Sequence, residues 1–308
     1  MNNSSRIVVV GSHAPGILLR VKRIPVAGET VIGWDFQEPK DGGKGSNQAI
    51  AAALLGGSVS FVGCVGIDRI GEDGSRWMLE AGVDTTWLNK HPTASSGVGV
   101  TMLDEKGVPA MVTAMGANAE LTRAQIENAL HSLKGAKVLL TQFEIPPELA
   151  LFAAEFAAEM GMITIVNPAP APDMQITNLE RVSVLLPNET EAQVLLGLQP
   201  GAHHDPVKMV AALRERTGTR CVIITLGEKG AVGIDDEGTW MVEAPQVDVI
   251  DTSGAGDVFC AAFAVSLLDG QNVRSASRWA CQVASLSVTK PGTIQSFPSI
   301  KEVEPFPY

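Results

Sequence analysis

Asp251-Thr252-Ser253-Gly254-Ala255-Gly256-Asp257 combines carboxylates with three residues that have little or no side chain. Backbone N–H groups of Gly254, Ala255 and Gly256 can approach an anion closely. The apolar residues 260–268 read as a buried helix whose positive dipole end falls on the same spot. Residues 247–250 read as the end of a strand, so the segment predicts a strand-to-helix turn that holds a phosphate. A carboxylate beside such a site is repelled by the ligand unless it takes a proton from an attacking hydroxyl, or a metal lies between them. Asp257 is therefore the candidate general base of a phosphoryl transfer. Capping the helix is the competing use of an Asp at this place.

A second cluster, Gly42-Gly43-Lys44-Gly45-Ser46-Asn47-Gln48-Ala49, leads into an alanine-rich helix that reads from Ala49 to Leu55. Bare backbone beside a Lys and an Asn suits the hydroxyls or phosphate of a small polar ligand. Its order is not that of a Walker A loop. The turn from Gly11 to Gly16 lacks the G-x-G-x-x-G spacing and leads to no helix, which excludes a nicotinamide site.

The elements that must position these clusters follow an α/β rhythm. Residues 7–10, 58–64, 137–141, 163–166, 182–186 and 221–226 are apolar runs that read as buried parallel strands, with helical patterns between most of them. Polar groups collect where strands end: Glu144, Asn167, Asn188 with Glu191, and Gly227 to Gly230. At that edge a doubly wound, mostly parallel sheet binds its ligands. Residues 17–25, 30–36, 98–103 and 108–113 do not fit the rhythm. They predict a small four-stranded β-sheet lid over the ligand end, inserted at about 14–40 and 96–115 in one domain spanning 1–308.

Composition sets limits. In 308 residues, 34 acidic against 23 basic side chains give a net charge of −11, with no basic run, which argues against nucleic acid. No apolar run approaches the roughly 20 residues that span a bilayer. Residues 1–6 lead straight into an apolar strand without a signal-like segment, so a soluble, cytoplasmic protein is expected, with no membrane partner. Cys64, Cys221, Cys260 and Cys281 lack C-x-x-C spacing and read as reduced core thiols.

With the two glycine clusters, Pro187-Asn188-Glu189-Thr190-Glu191-Ala192 and Thr225-Leu226-Gly227-Glu228-Lys229-Gly230 in this order, the chain resembles the ribokinase family, the phosphofructokinase-B group of sugar and nucleoside kinases. The resemblance spans nearly the whole chain. It implies that Asp257 is the base, that Gly254, Ala255 and Gly256 form the anion hole for the γ-phosphoryl of ATP, and that Gly43, Lys44, Asn47 and Glu144 hold the sugar. Asn188 and Glu191 would organise Mg²⁺ through water, Asn188, Thr225, Gly227, Gly230 and Gly256 would bind the nucleotide, and Cys281 would lie at the adenine edge. Asp251, Ser253, Ser287, Lys290, Gly292 and Ser296 would surround an activating K⁺, several through carbonyls. A homodimer through the lid is expected.

One wall departs from the pattern. Ribokinases carry an Asn at the position of Ala14 and an Asp at that of Gly16. Losing both should weaken selection for ring hydroxyls and make room, so a deoxygenated or bulkier sugar is expected to compete with ribose. His13 stands beside the gap, either as a replacement donor or as a structural residue. The sequence predicts an ATP-dependent kinase of a primary hydroxyl on a small sugar or sugar-like metabolite. A nucleoside kinase, or a catalytically weak sugar- or nucleotide-binding sensor, is the alternative.

Overall fold

The computed structural model describes residues 6–38, 40–172 and 174–303. Strands β1 (Arg6–Val10), β2 (Gly16–Val21), β3 (Gly33–Gln37), β4 (Ser58–Gly66), β5 (Asp84–His91), β6 (Val98–Leu103) and β7 (Pro109–Ala114) occupy the first part of the chain. Strands β8 (Val138–Gln142), β9 (Ile163–Asn167), β10 (Val184–Leu185), β11 (Cys221–Thr225), β12 (Ala231–Asp235) and β13 (Gly238–Val242) follow. They form a nine-stranded sheet in the order β13-β12-β11-β10-β9-β8-β1-β4-β5 and a four-stranded sheet in the order β3-β2-β6-β7. Pairing in the large sheet is parallel from β11 to β5 and antiparallel for β12 and β13.

The sequence of β1 explains its place at the centre. Ile7 and Val9 enter one apolar layer while Val8 and Val10 enter the other, so a strand with no polar side must be covered on both faces. Helices α1 (Gly43–Leu54), α2 (Arg69–Glu80), α7 (Ala255–Leu268) and α8 (Val273–Ser287) cover the first face. Helices α3 (Arg123–Ser132), α4 (Pro147–Glu159), α5 (Glu189–Leu196) and α6 (Pro206–Thr217) cover the second, and a short α9 (Ile300–Val303) returns to the first. Residues 257–267 of α7 are all buried. A helix apolar all round belongs inside. Phe263 alone, fully buried, contributes roughly 1.5–3 kcal/mol by burial.

Chain order reverses between β1 and β8, because β1, β4 and β5 progress one way while β8 to β11 progress the other. Ligands of doubly wound sheets bind at that crevice. Ser12 follows β1 and Glu144 follows β8, which places both at the reversal.

Three sequence expectations are corrected. Helix α1 begins at Gly43 rather than at Ala49, so Lys44 and Asn47 lie in its first turns. Helix α7 begins at Ala255, and residues 243–250 before it are not a strand. Their β-branched residues suggest one, but β13 already ends the sheet, and Val249 and Ile250 are exposed. The apolar run at 182–186 keeps only Val184–Leu185 as strand.

The small sheet matches expectation in strand number and in its β6–β7 hairpin, where Val98 faces Ala114 and Leu103 faces Pro109. Strand β2 pairs parallel with β6, so Gly16 lies opposite Gly99. Among the described residues no helix is long and apolar enough to cross a membrane.

Candidate active site

Asp257 sits in the first turn of α7, but it does not cap it. The N-cap is Gly254 at φ 76°, a left-handed conformation suited to glycine, and it makes no side-chain cap bond. A Cβ on Gly254 would also lie 2.7 Å from the Phe297 ring and 2.8 Å from Thr293. A Cβ on Gly256 would meet nothing within 4 Å. The Ala255 N–H donates back to the Thr252 carbonyl at 3.2 Å, while the N–H groups of Gly254 and Gly256 have no partner among the described residues, so the turn offers donors and open space to an anionic group.

The carboxylate of Asp257 turns instead towards α1. Oδ2 accepts from Asn47 Nδ2 at 3.1 Å and Oδ1 from Gln48 Nε2 at 3.0 Å. Gln48 also donates to Asn167 Oδ1 at 3.2 Å and accepts from Gln142 Nε2 at 2.5 Å, so the ends of β8 and β9 fix its orientation. Burial pushes Asp257 up to about 6; Lys44, the two amides and Glu144 act on it as well, the first three pulling it down. A carboxyl poised near neutrality can take a proton from an alcohol as it becomes a nucleophile.

Glu144 Oε2 accepts from Ser12 Oγ at 2.7 Å and from the Lys44 backbone N–H at 2.8 Å, joining β1, β8 and α1 at the crevice. Burial pushes the Lys44 ammonium down, but the carboxylates of Asp257, Glu144 and Glu191 outweigh it and raise it overall. Lys44 makes no contact ion pair among the described residues. It is a cation left available for a ligand. Gly43, at φ 74°, lets the backbone pass close to Ala14 and Glu144.

Asn188 and Glu191 form a capping box on α5: Asn188 Oδ1 accepts from the Glu191 N–H and Glu191 Oε2 accepts from the Asn188 N–H, both at 2.8 Å. That reciprocal cap is a structural reason for the spacing. Glu191 is nonetheless buried, with its carboxyl raised first by desolvation and in part by Asp257, so it belongs to the same electrostatic cluster. An isolated bridge joins Asn188 to Thr225 at the end of β11. Gly227 and Gly230 form the turn that follows, and a Cβ on Gly230 would strike the Val242 carbonyl at 2.0 Å. Cys281 is 4 % exposed in the apolar layer, its thiol pushed up to about 12 by burial, and it offers a nucleotide little surface.

Asp251 links two loops: Oδ1 accepts from Ser253 N and Oδ2 from Gly292 N, both at 2.9 Å. Ser287 and Ser296 donate their hydroxyls to the carbonyls of Ala284 and Thr293. The Lys290 ammonium pairs with Glu302. His13 is settled as structural. Its ring nitrogens lie 2.9 Å from Ser46 Oγ and 3.1 Å from the Ile70 carbonyl, and burial lowers it to about 4.

Sequence reasoning missed Asp41 as a member of this cluster, and gave Ser12, Gln48, Gln142 and Asn167 no role. Ser12, Gln142 and Asn167 all stand at C-terminal ends of parallel strands, a signal that the sequence carried. Asp41 carried no such signal; its Oδ1 accepts from Asn47 Nδ2 at 2.7 Å.

The fold and this crevice define a phosphotransferase of the doubly wound α/β type. Residues 5–300 match the pfkB family of carbohydrate kinases, and the chain belongs to that family. It is 32% identical to a ribokinase of Haemophilus influenzae over 97% of both chains, and 33% identical to a deoxyribokinase of Salmonella typhimurium over 96% of both. The solved Arabidopsis thaliana ribokinase complexed with ribose and ATP is 30% identical, with a TM-score of 0.86 over 97% of both chains.

Proposed function

We propose that this protein transfers the γ-phosphoryl group of ATP to a primary hydroxyl of a small sugar. The observation that carries this reading is Asp257 itself, a buried carboxylate near neutral pKa, held by two amides beside an uncapped helix start. Asp257 takes the proton of the attacking hydroxyl. N–H groups of the Gly254–Gly256 turn stabilise the charge that develops on the transferring group, and Lys44 adds a cation. Gly43, Lys44, Asn47 and Glu144 orient the sugar, while Thr225, Gly227 and Gly230 border the nucleotide.

Asn188 and Glu191 fit a water-held Mg²⁺, since Glu191 is buried with one carboxylate oxygen committed to the α5 cap and no cation among the described residues paired with it. When bound, the metal would neutralise phosphate oxygens. The loops tied by Asp251 offer only oxygen donors, which suits K⁺ carried by Asp251, Ser253, Ser287, Lys290, Gly292 and Ser296. With its ammonium engaged by Glu302, Lys290 can contribute only through its carbonyl. Activity is expected to vanish with chelation of Mg²⁺ and to rise severalfold when K⁺ replaces Na⁺. Equal rates in the two salts would remove the cation from the account.

The small sheet serves as a lid on one kinase domain and pairs into a homodimer. Trp34, Phe36, Met111 and Val112 are exposed on it, and an isolated sheet of this size needs cover. Sedimentation at micromolar concentration is expected to give a dimer, and Met111→Glu a monomer. A native monomer would contradict this. Four free, buried cysteines fit a cytoplasmic setting.

The test of the function is ADP release with a panel of pentoses, deoxypentoses, hexoses and nucleosides. Turnover of a pentose or deoxypentose is expected. A deoxygenated sugar is the favoured substrate, because Ala14 and Gly16 offer no polar side chain and a deoxyribokinase is among the relatives. Stimulation by nucleosides alone would shift the reading to a nucleoside kinase, and binding without turnover to a sensor.

A further inference from the structure

The wall built by Ala14 and Gly16 has no polar side chain of its own, yet the fold brings a carboxylate to it from another segment. A Cβ on Gly16, at the start of β2, would lie 3.0 Å from Asp41 Oδ2. Gly16 is not among the positive-φ glycines, so its backbone would accept a side chain, and what stands in that space is Asp41. Oδ1 of Asp41 is used twice, accepting from Asn47 Nδ2 at 2.7 Å and from the Gly43 N–H at 3.2 Å. Oδ2 accepts nothing from any described residue. No cation among the described residues pairs with it: Lys40, its neighbour, reaches Glu80 and the Trp77 ring.

The placement of this free oxygen is specific. Asn47 bridges Asp41 to Asp257, so Oδ2 lies one side chain away from the proposed base. A half-buried, unpaired carboxylate oxygen is an acceptor that a hydroxyl can satisfy. We propose that Asp41 contacts the substrate and sets its specificity, Oδ2 accepting a ring hydroxyl of the sugar remote from the primary hydroxyl being phosphorylated. The inference rests on the sugar-kinase reading above. It also revises the wall: hydroxyl selection is relocated from the first loop to the residue before the Gly42-Gly43 pair, rather than abandoned.

Asp41→Asn separates a substrate contact from a structural one. An Asn keeps an oxygen for the bonds from Asn47 and Gly43 and exchanges only the free acceptor for an N–H donor. The experiment compares kcat/KM of native protein and variant for the best sugar of the panel and for each of its singly deoxygenated analogues. For the best sugar itself the variant is expected to lose roughly ten- to a hundredfold, chiefly in KM, while one analogue lacking a further ring hydroxyl loses less than about threefold. The preference for the hydroxyl missing in that analogue collapses. If every sugar loses the same factor, or none loses any, Asp41 is only a loop residue and the inference is overturned. Failure of the native protein to phosphorylate any sugar overturns the functional reading itself, and it is seen before any variant is compared.

Discussion

Asp257→Asn is expected to lower kcat by roughly 10²- to 10⁴-fold while nucleotide affinity stays within a few fold. The amide fills the same space but cannot take the hydroxyl proton. Stability should change little, because two effects oppose each other. Removing a buried charge favours the folded state, whereas both oxygens now accept from Asn47 and Gln48, and an Asn must set its own N–H against one of these donors. The native enzyme provides the companion measurement. With Asp257 near 6 in the ligand-free protein, the base is ionised above that pH and protonated below it, so kcat/KM should fall about tenfold per unit as pH drops below 6. The variant's residual rate should lose this limb. Near-native turnover of Asp257→Asn would remove the residue from the chemistry.

Gly256→Ala is the second large effect, and it separates catalysis from folding. The added methyl meets no protein atom within 4 Å, and the position lies within α7, where Ala is favoured over Gly by roughly 0.5–1 kcal/mol. The variant should therefore melt at or slightly above the native temperature. Yet the methyl enters the space assigned to the transferring phosphoryl group, and displacing one anion-hole contact costs roughly 10²- to 10³-fold in kcat. Gly254→Ala should behave differently, losing stability as well, since its Cβ strikes Phe297 and Thr293 and its φ is left-handed. If Gly256→Ala turns over at the native rate, the anion lies elsewhere.

The parts of the fold that were legible in the sequence are those where local pattern and burial agree. Residues 7–10 are apolar without interruption, and β1 is central and covered on both sides. Misreadings occurred where tertiary contacts override propensity. Glycines at 43 and 45 disfavour a helix, yet α1 runs through them because a Cβ on Gly45 would lie 2.3 Å from Ser12 N, and only bare backbone packs there. Residues 247–250 look like a strand but have no neighbour beyond β13.

The site was legible to the extent that its groups share motifs. Asp257, Asn47, Lys44 and Glu144 were all named from sequence, and the fold brings Asn47 to Asp257 and Glu144 to the backbone of Lys44. Asn188 and Glu191 read as ligand-binding residues, for metal and, at Asn188, nucleotide, although the same spacing is a helix cap. Asp41 was overlooked because a charged residue before two glycines reads as a solvated turn. Its meaning depends on Gly16, 25 positions away in sequence, where an added Cβ would lie 3.0 Å from Asp41 Oδ2.

The most direct test of the central claim is the identity of the product. Native protein is incubated with ATP, Mg²⁺ and the best sugar of the panel, and the mixture is followed by phosphorus NMR. The account predicts ADP and a sugar phosphomonoester in equal amounts, the ester phosphorus coupled to the two protons of a primary carbon. ADP accompanied by free phosphate alone, an ester on a secondary carbon, or unchanged ATP would contradict it.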